Sequence, residues 1–150
     1  MCAVAASDIN IVLHHQFLPD KAMHWTIEKL YSPPVLLATA VGRWNWQKFA
    51  EMVDHLSREK LKYPFCNILV DDTELEWDVI NPSDMNAITK AFSIKDYAFA
   101  HTRIAFLMYS IDDFFAAYQF QLQTEPASTA VMKVFYERST ALEWLTIRQT

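Results

Sequence analysis

Glycine occurs once in the 150 residues, at Gly42. Phosphate-cradling loops and dinucleotide fingerprints need several glycines at fixed spacing, so neither can be written in this chain. Cysteine occurs twice, at Cys2 and Cys66, too few for a disulfide framework. Basic runs are missing too: the net charge is -5. Nucleic-acid binding calls for a basic footprint, so that class is disfavoured. No apolar stretch approaches the ~18 residues of a membrane span. The first residues, Met1 to Asp8, lack the basic segment and apolar length of a signal peptide. The expectation is a cytoplasmic protein with no membrane span.

What the chain does have is apolar mass. At 52% hydrophobic, a chain of this length closes one core and buries roughly 70% of its unfolded surface. Residues 1–22 show little periodicity and read as an N-terminal extension with a short edge strand near Asn10–His15. Residues 23–150 read as a single domain. Trp25–Tyr31 and Val35–Val41 are β-branched and aromatic stretches on either side of Pro33-Pro34, which predicts a hairpin. Asn45 is placed to cap a helix with Trp46, Phe49, Ala50, Val53 and Leu56 at helical spacing.

Next comes Asn67-Ile68-Leu69-Val70-Asp71-Asp72, whose consecutive apolar residues suit a strand buried on both faces. Thr73–Ile80 reads as a loop. Asn81-Pro82-Ser83-Asp84 then combines an N-cap, a proline at the first helical position and a first-turn acid. Arg103–Tyr109 repeats the buried-strand design, and Ser110 with Asp113 predicts a capped helix whose inner face is Ile111, Phe114, Phe115, Tyr118 and Leu122. Met132–Phe135 and a helix over Ser139–Ile147 close the chain. The order β-β-α-β-α-β-α-β-α predicts an α/β fold: a mixed, mostly parallel sheet of four to five strands covered by helices.

Candidate chemistry is sparse. Asp71 and Asp72 are placed at a strand's carboxyl end, where open α/β sheets bind ligands. Neighbouring residues on a strand point to opposite faces, so a paired-carboxylate metal or acid–base site is the weaker reading of the two. A metal-dependent hydrolase would rest on these two residues alone. His14-His15 does not make a ligand set, and neither metal nor cofactor is expected. Aromatic residues reach 14%, more than one core face requires. Trp44 and Trp77, both in predicted loops, are expected to be exposed, with Phe120 completing a ligand or partner surface.

Two stretches carry a resemblance. Gly42-Arg43-Trp44-Asn45-Trp46 sets a glycine, a short turn and a capped helix after the second strand. Val134-Phe135-Tyr136-Glu137-Arg138-Ser139-Thr140-Ala141-Leu142-Glu143-Trp144-Leu145 sets a strand ending in phenylalanine before an Ala-Leu-x-Trp-Leu helix. With Ile68–Asp71 they resemble the STAS domain superfamily, and within it the SpoIIAA-like proteins. The likeness covers roughly residues 23 to 147 by element order. It implies a STAS-like fold and a non-enzymatic interaction or regulatory module, working with a protein partner or as a homodimer. The alternative it leaves is a carrier or sensor of a small apolar ligand. Some STAS domains are switched by phosphorylation of a serine at the helix start after the central strand, and Ser83 falls nearest that position. The chain departs from the Asp-Ser-Ser-Gly pattern of those members, reading Asn81-Pro82-Ser83-Asp84-Met85.

Overall fold

The computed structural model describes residues 21–77 and 80–147, with residues 111, 112, 114 and 115 described by backbone alone. The strand proposed near Asn10–His15 lies outside the described residues. Five strands form one sheet: β1 (His24–Tyr31), β2 (Pro34–Arg43), β3 (Asn67–Glu76), β4 (Arg103–Leu107) and β5 (Val131–Phe135). Their spatial order follows the chain, β1-β2-β3-β4-β5. Only the β1–β2 hairpin is antiparallel; the other three pairings are parallel. Among the described residues four α-helices accompany them: α1 (Trp46–Lys62), α2 (Pro82–Ile94), α3 (Ile111–Thr124) and α4 (Arg138–Thr146). This is the mixed, mostly parallel α/β architecture that the alternation of elements predicts.

The predicted caps form. The side chains of Asn45, Asn81 and Ser110 accept hydrogen bonds from the backbone N–H groups of Lys48, Asp84 and Asp113, at 2.9, 2.8 and 3.2 Å. Each satisfies a donor that the first helical turn would otherwise leave open.

The apolar run of β3 is buried on both sides, with Ile68, Leu69 and Val70 at 0, 0 and 2% exposure. Ile68 and Val70 face a large core with Leu36 and Ala38 of β2, Phe106 of β4, and the inner faces of α1, α2 and α3. Leu69 faces a smaller core with Val35, Leu37, Ala105 and Leu107, covered by Ala141 and Leu145 of α4. Cys66, 3% exposed, is part of the large core, where it behaves as a small hydrophobe.

Two expectations need correcting. β3 does not stop at Asp71 but runs on to Glu76, so the first part of the supposed loop, Thr73 to Glu76, is strand. Its register with β2 moves from Thr39↔Asp71 to Val41↔Glu74. Asp72 and Thr73 therefore oppose the single residue Ala40, a β-bulge at the point where the carboxylates sit. The second correction concerns α3. Among its described side chains Ala117, Phe120 and Thr124 are buried, whereas Tyr118 and Leu122 are 42 and 52% exposed. Ile111, Phe114 and Phe115 lie outside the described side chains.

Gly42 has a φ of 98°, and a Cβ there would meet the carbonyl oxygen of Ala22 at 2.4 Å. The lone glycine thus lets the chain segment at Ala22 lie against the end of β2. At the opposite edge of the sheet, the N–H of Val131 bonds the carbonyl of Thr102 beside β4, and that of the next residue, Met132, bonds a carboxylate oxygen of Glu125 at 3.2 Å.

Among the described residues, the small-core face is covered by α4. Arg103, at the start of β4, donates from Nη1 to the carbonyls of Trp144 and Ile147, both at 2.6 Å, and its guanidinium lies over the Trp144 ring. Asn67 adds a bond from Nδ2 to the carbonyl of Leu145 at 2.8 Å, while its Oδ1 accepts from the backbone N–H of Arg103. A cation at a helix C-terminus opposes the partial negative charge of its free carbonyls. Arg103→Met keeps the apolar stem and removes these bonds. It is expected to cost about 2–3 kcal/mol in urea unfolding, with amide protection lost in α4 before the strands.

Candidate functional site

The parallel pairing of β3 with β4 ends at Asp71, so the two carboxylates lie where β3 leaves β4. They part there, and each meets a different environment.

Asp71 is on the α4 side. Its Oδ1 accepts from the backbone N–H and the hydroxyl of Thr73, at 3.0 and 2.7 Å. Its Oδ2 lies 3.8 Å from Arg138 at the start of α4. This acid closes a local turn and faces a cation, with its side chain 15% exposed.

Asp72 points into the large core and is 2% exposed. It helps line a cavity of about 20 Å³ whose other walls include Trp44, Trp77, Ile88, Phe106 and Phe120. Three polar atoms here have no hydrogen-bond partner: Asp72 Oδ1, Trp44 Nε1 and Trp77 Nε1. Burial pushes the Asp72 carboxyl up from 3.8 to about 8, and the neighbouring charges of Asp71 and Asp113 push in the same direction. At neutral pH the group is therefore mostly a carboxylic acid, able to donate one hydrogen bond and to accept others.

The two tryptophans close this end of the core. Their rings stack with centroids 5.7 Å apart and planes 21° from parallel. Trp44 follows β2 directly and is anchored by its backbone N–H, which donates to the carbonyl of Glu76 at 2.8 Å. The expectation that Trp44, Trp77 and Phe120 form an exposed surface does not hold. Trp44 is 7% exposed, Phe120 is 4% exposed, and Trp77 is half-buried against the core. Phe120 sits instead among rings, edge-on to Phe49, Phe92 and Phe106 at 5.7, 5.9 and 6.0 Å. Such pairs add about 0.5–1.5 kcal/mol each beyond area burial. The long-range bond from Trp44 to Glu76, invisible in local composition, is what draws the first indole inward.

Ser83 lies apart from the cavity, exposed in the first turn of α2 behind its cap Asn81. The structure thus brings Asp72, Trp44, Trp77 and Phe120 together around one cavity, while Asp71 faces the opposite side of the sheet. Among the described residues, no group of three or more His, Cys, Asp or Glu side chains is placed to hold a metal ion. No helix among them is long and apolar enough to cross a membrane.

The raised affinity of Asp72 for its proton ties stability to pH. The folded chain holds a proton that the unfolded chain releases above its ordinary value of 3.8. This group's contribution to stability is thus fully present below about pH 4, declines as pH rises, and levels off above about pH 8, with a slope of at most about 1.4 kcal/mol per pH unit. Asp72→Asn removes that slope. Urea unfolding at stepped pH is expected to show the variant gaining on the parent between about pH 4 and pH 8, by progressively more at higher pH.

Comparison with known proteins agrees with the architecture. No protein-family model matches the chain, and no curated protein matches it. A solved structure does: an uncharacterized protein of the DUF3478 family from Shewanella loihica PV-4, described as having a SpoIIAA-like fold, with a TM-score of 0.55 and 20% identity. The match covers 83% of this chain and 94% of that one. On the strength of that match and its own strand order, the chain has a SpoIIAA-like, STAS-type fold.

Proposed function

We propose that the chain is a non-enzymatic interaction and regulatory module that works through contact with a protein partner or a second copy of itself. The observation that carries this reading is that two of the three most exposed large hydrophobic side chains among the described residues stand near the starts of the parallel strands. Phe65, just before β3, is 96% exposed, and Tyr31, at the hairpin turn, is 79% exposed. Lys29 Nζ lies 3.8 Å from the centre of the Tyr31 ring and 5.4 Å from that of Tyr63, making a mixed aromatic and cationic surface. Exposed aromatic rings with a neighbouring cation are the side-chain types that anchor protein contacts. The carboxylates, by contrast, are committed internally. Asp71 is held by Thr73 and faces Arg138, and Asp72 is sealed from solvent.

Regulation is assigned to Ser83. Its hydroxyl is exposed in the first turn of a thirteen-residue helix. A phosphate there would add about -1.5 to -2 charge at the positive end of the helix. The second reading, a carrier of a small apolar ligand, draws on the aromatic interior. Two cavities of about 20 Å³ each share Phe49, Phe106 and Phe120 as walls. Each takes a water-sized guest, which favours the contact reading over this one.

Sedimentation velocity in native extract tests the contact. The wild-type chain is expected to travel above its monomer mass, and Phe65→Ser with Tyr31→Ser to return it to monomer. A wild-type chain that sediments as a monomer throughout overturns the reading. For the switch, mass spectrometry of the native protein should find phosphate on Ser83. Ser83→Glu should preserve folding, with a stability gain of about 0.3–1 kcal/mol, while changing the sedimentation of the complex.

A further inference from the structure

The cavity beneath the two tryptophans has an unusual composition for a gap in a core. Most of its walls are apolar, from Phe49, Ile88, Phe106, Met108, Ala117 and Phe120. Yet the lining also includes Asp72, Trp44 and Trp77, each carrying a buried hydrogen-bonding atom without a partner. Two of those side chains are more than nine-tenths buried, at 2 and 7% exposure. A purely apolar cavity stays dry, but one with several polar atoms and room for about one probe sphere holds a structural water. Its size of about 20 Å³ meets that requirement for one molecule and not for a larger guest.

The chemistry of the three atoms matches a single water. An indole N–H only donates, so Trp44 and Trp77 both require an acceptor. A water oxygen accepts from both and returns a hydrogen to Asp72 Oδ1, so each of the three atoms gains a partner. We propose that this cavity is a built hydration site in which one water bridges Asp72, Trp44 and Trp77, and that this bridge latches the tryptophan pair over the large core. The latch holds while Asp72 is a neutral acid. An ionised carboxylate in this position has no cation to meet. The charged groups acting on it are Asp71 on its own strand and Asp113 on α3, both of its own sign. The residues of α1, α2 and β4 that line the cavity are apolar. Loss of the proton therefore draws bulk water towards Asp72 past the half-buried Trp77, and the stack loosens.

Two-dimensional NMR of the full chain reads this directly, with water itself as the probe. Both the Trp44 and Trp77 indole N–H signals are expected to show cross-relaxation with a long-lived water. Both should shift together with rising pH, at the midpoint at which the Asp72 carboxyl carbon titrates. In Asp72→Asn, which stays neutral but can still accept a hydrogen bond, the water contacts should persist and the joint shift should vanish. Absence of a long-lived water at either indole overturns the hydration site. A joint indole shift that survives in Asp72→Asn, or that fails to track the Asp72 carbon in the wild-type chain, overturns the latch. The wild-type carbon titration decides the second question even if the variant does not fold.

Discussion

The Arg103 guanidinium fastens the last turn of α4 to the sheet. Strands laid down in chain order with right-handed crossovers return every connecting helix to the same side of the sheet, so α1, α2 and α3 share one face. Among the described residues, the other face is covered by nine-residue α4. A helix that short is not stable by itself, and its N-terminal residue Glu137 provides no side-chain cap. Its attachment rests on Ala141 and Leu145 in the small core and on Arg103 and Asn67 at its C-terminal end. The Arg138–Asp71 pair at the other end is long and half-exposed on the arginine side, a geometry worth about 0–1 kcal/mol. Arg103, with charge-assisted bonds to two carbonyls, is the stronger of the two fastenings.

Asp72 represents the opposite choice, a polar group placed where the fold would gain from an apolar one. Burying a charge without a partner is costly, and the protein avoids most of that cost by keeping the carboxyl protonated. The β-bulge at Asp72 and Thr73 marks the same place in the backbone. Beyond it Leu75 returns to the large core, so the strand regains its pattern after one irregular step. Natural chains tend to break their local rules where they have a use for the exception.

Much of this was legible in the residues because the signals were local. Asn45, Asn81 and Ser110 announce helix starts through their own side chains. The unbroken Ile68-Leu69-Val70 run requires cover on both faces. The missed features depend on contacts distant in the chain. Trp44 and Trp77 look like loop residues, and only their mutual stacking and the bond from Trp44 to Glu76 carry them inward. The continuation of β3 did leave a trace: Glu74-Leu75-Glu76 alternates polar, apolar and polar, the period of a half-buried strand. Arg103 gave no such trace, since its partners are carbonyls some forty residues away.

The Glu125 carboxylate on the N–H of Met132 has a consequence for assembly. Alternate N–H groups of β5 turn away from β4, and an edge strand with free donors invites a foreign strand to add on. Glu125 occupies the first of those donors with an acid of the same chain. A strand adding on along the full length of this border would have to displace a charged group at Met132, which works against strand-by-strand growth there.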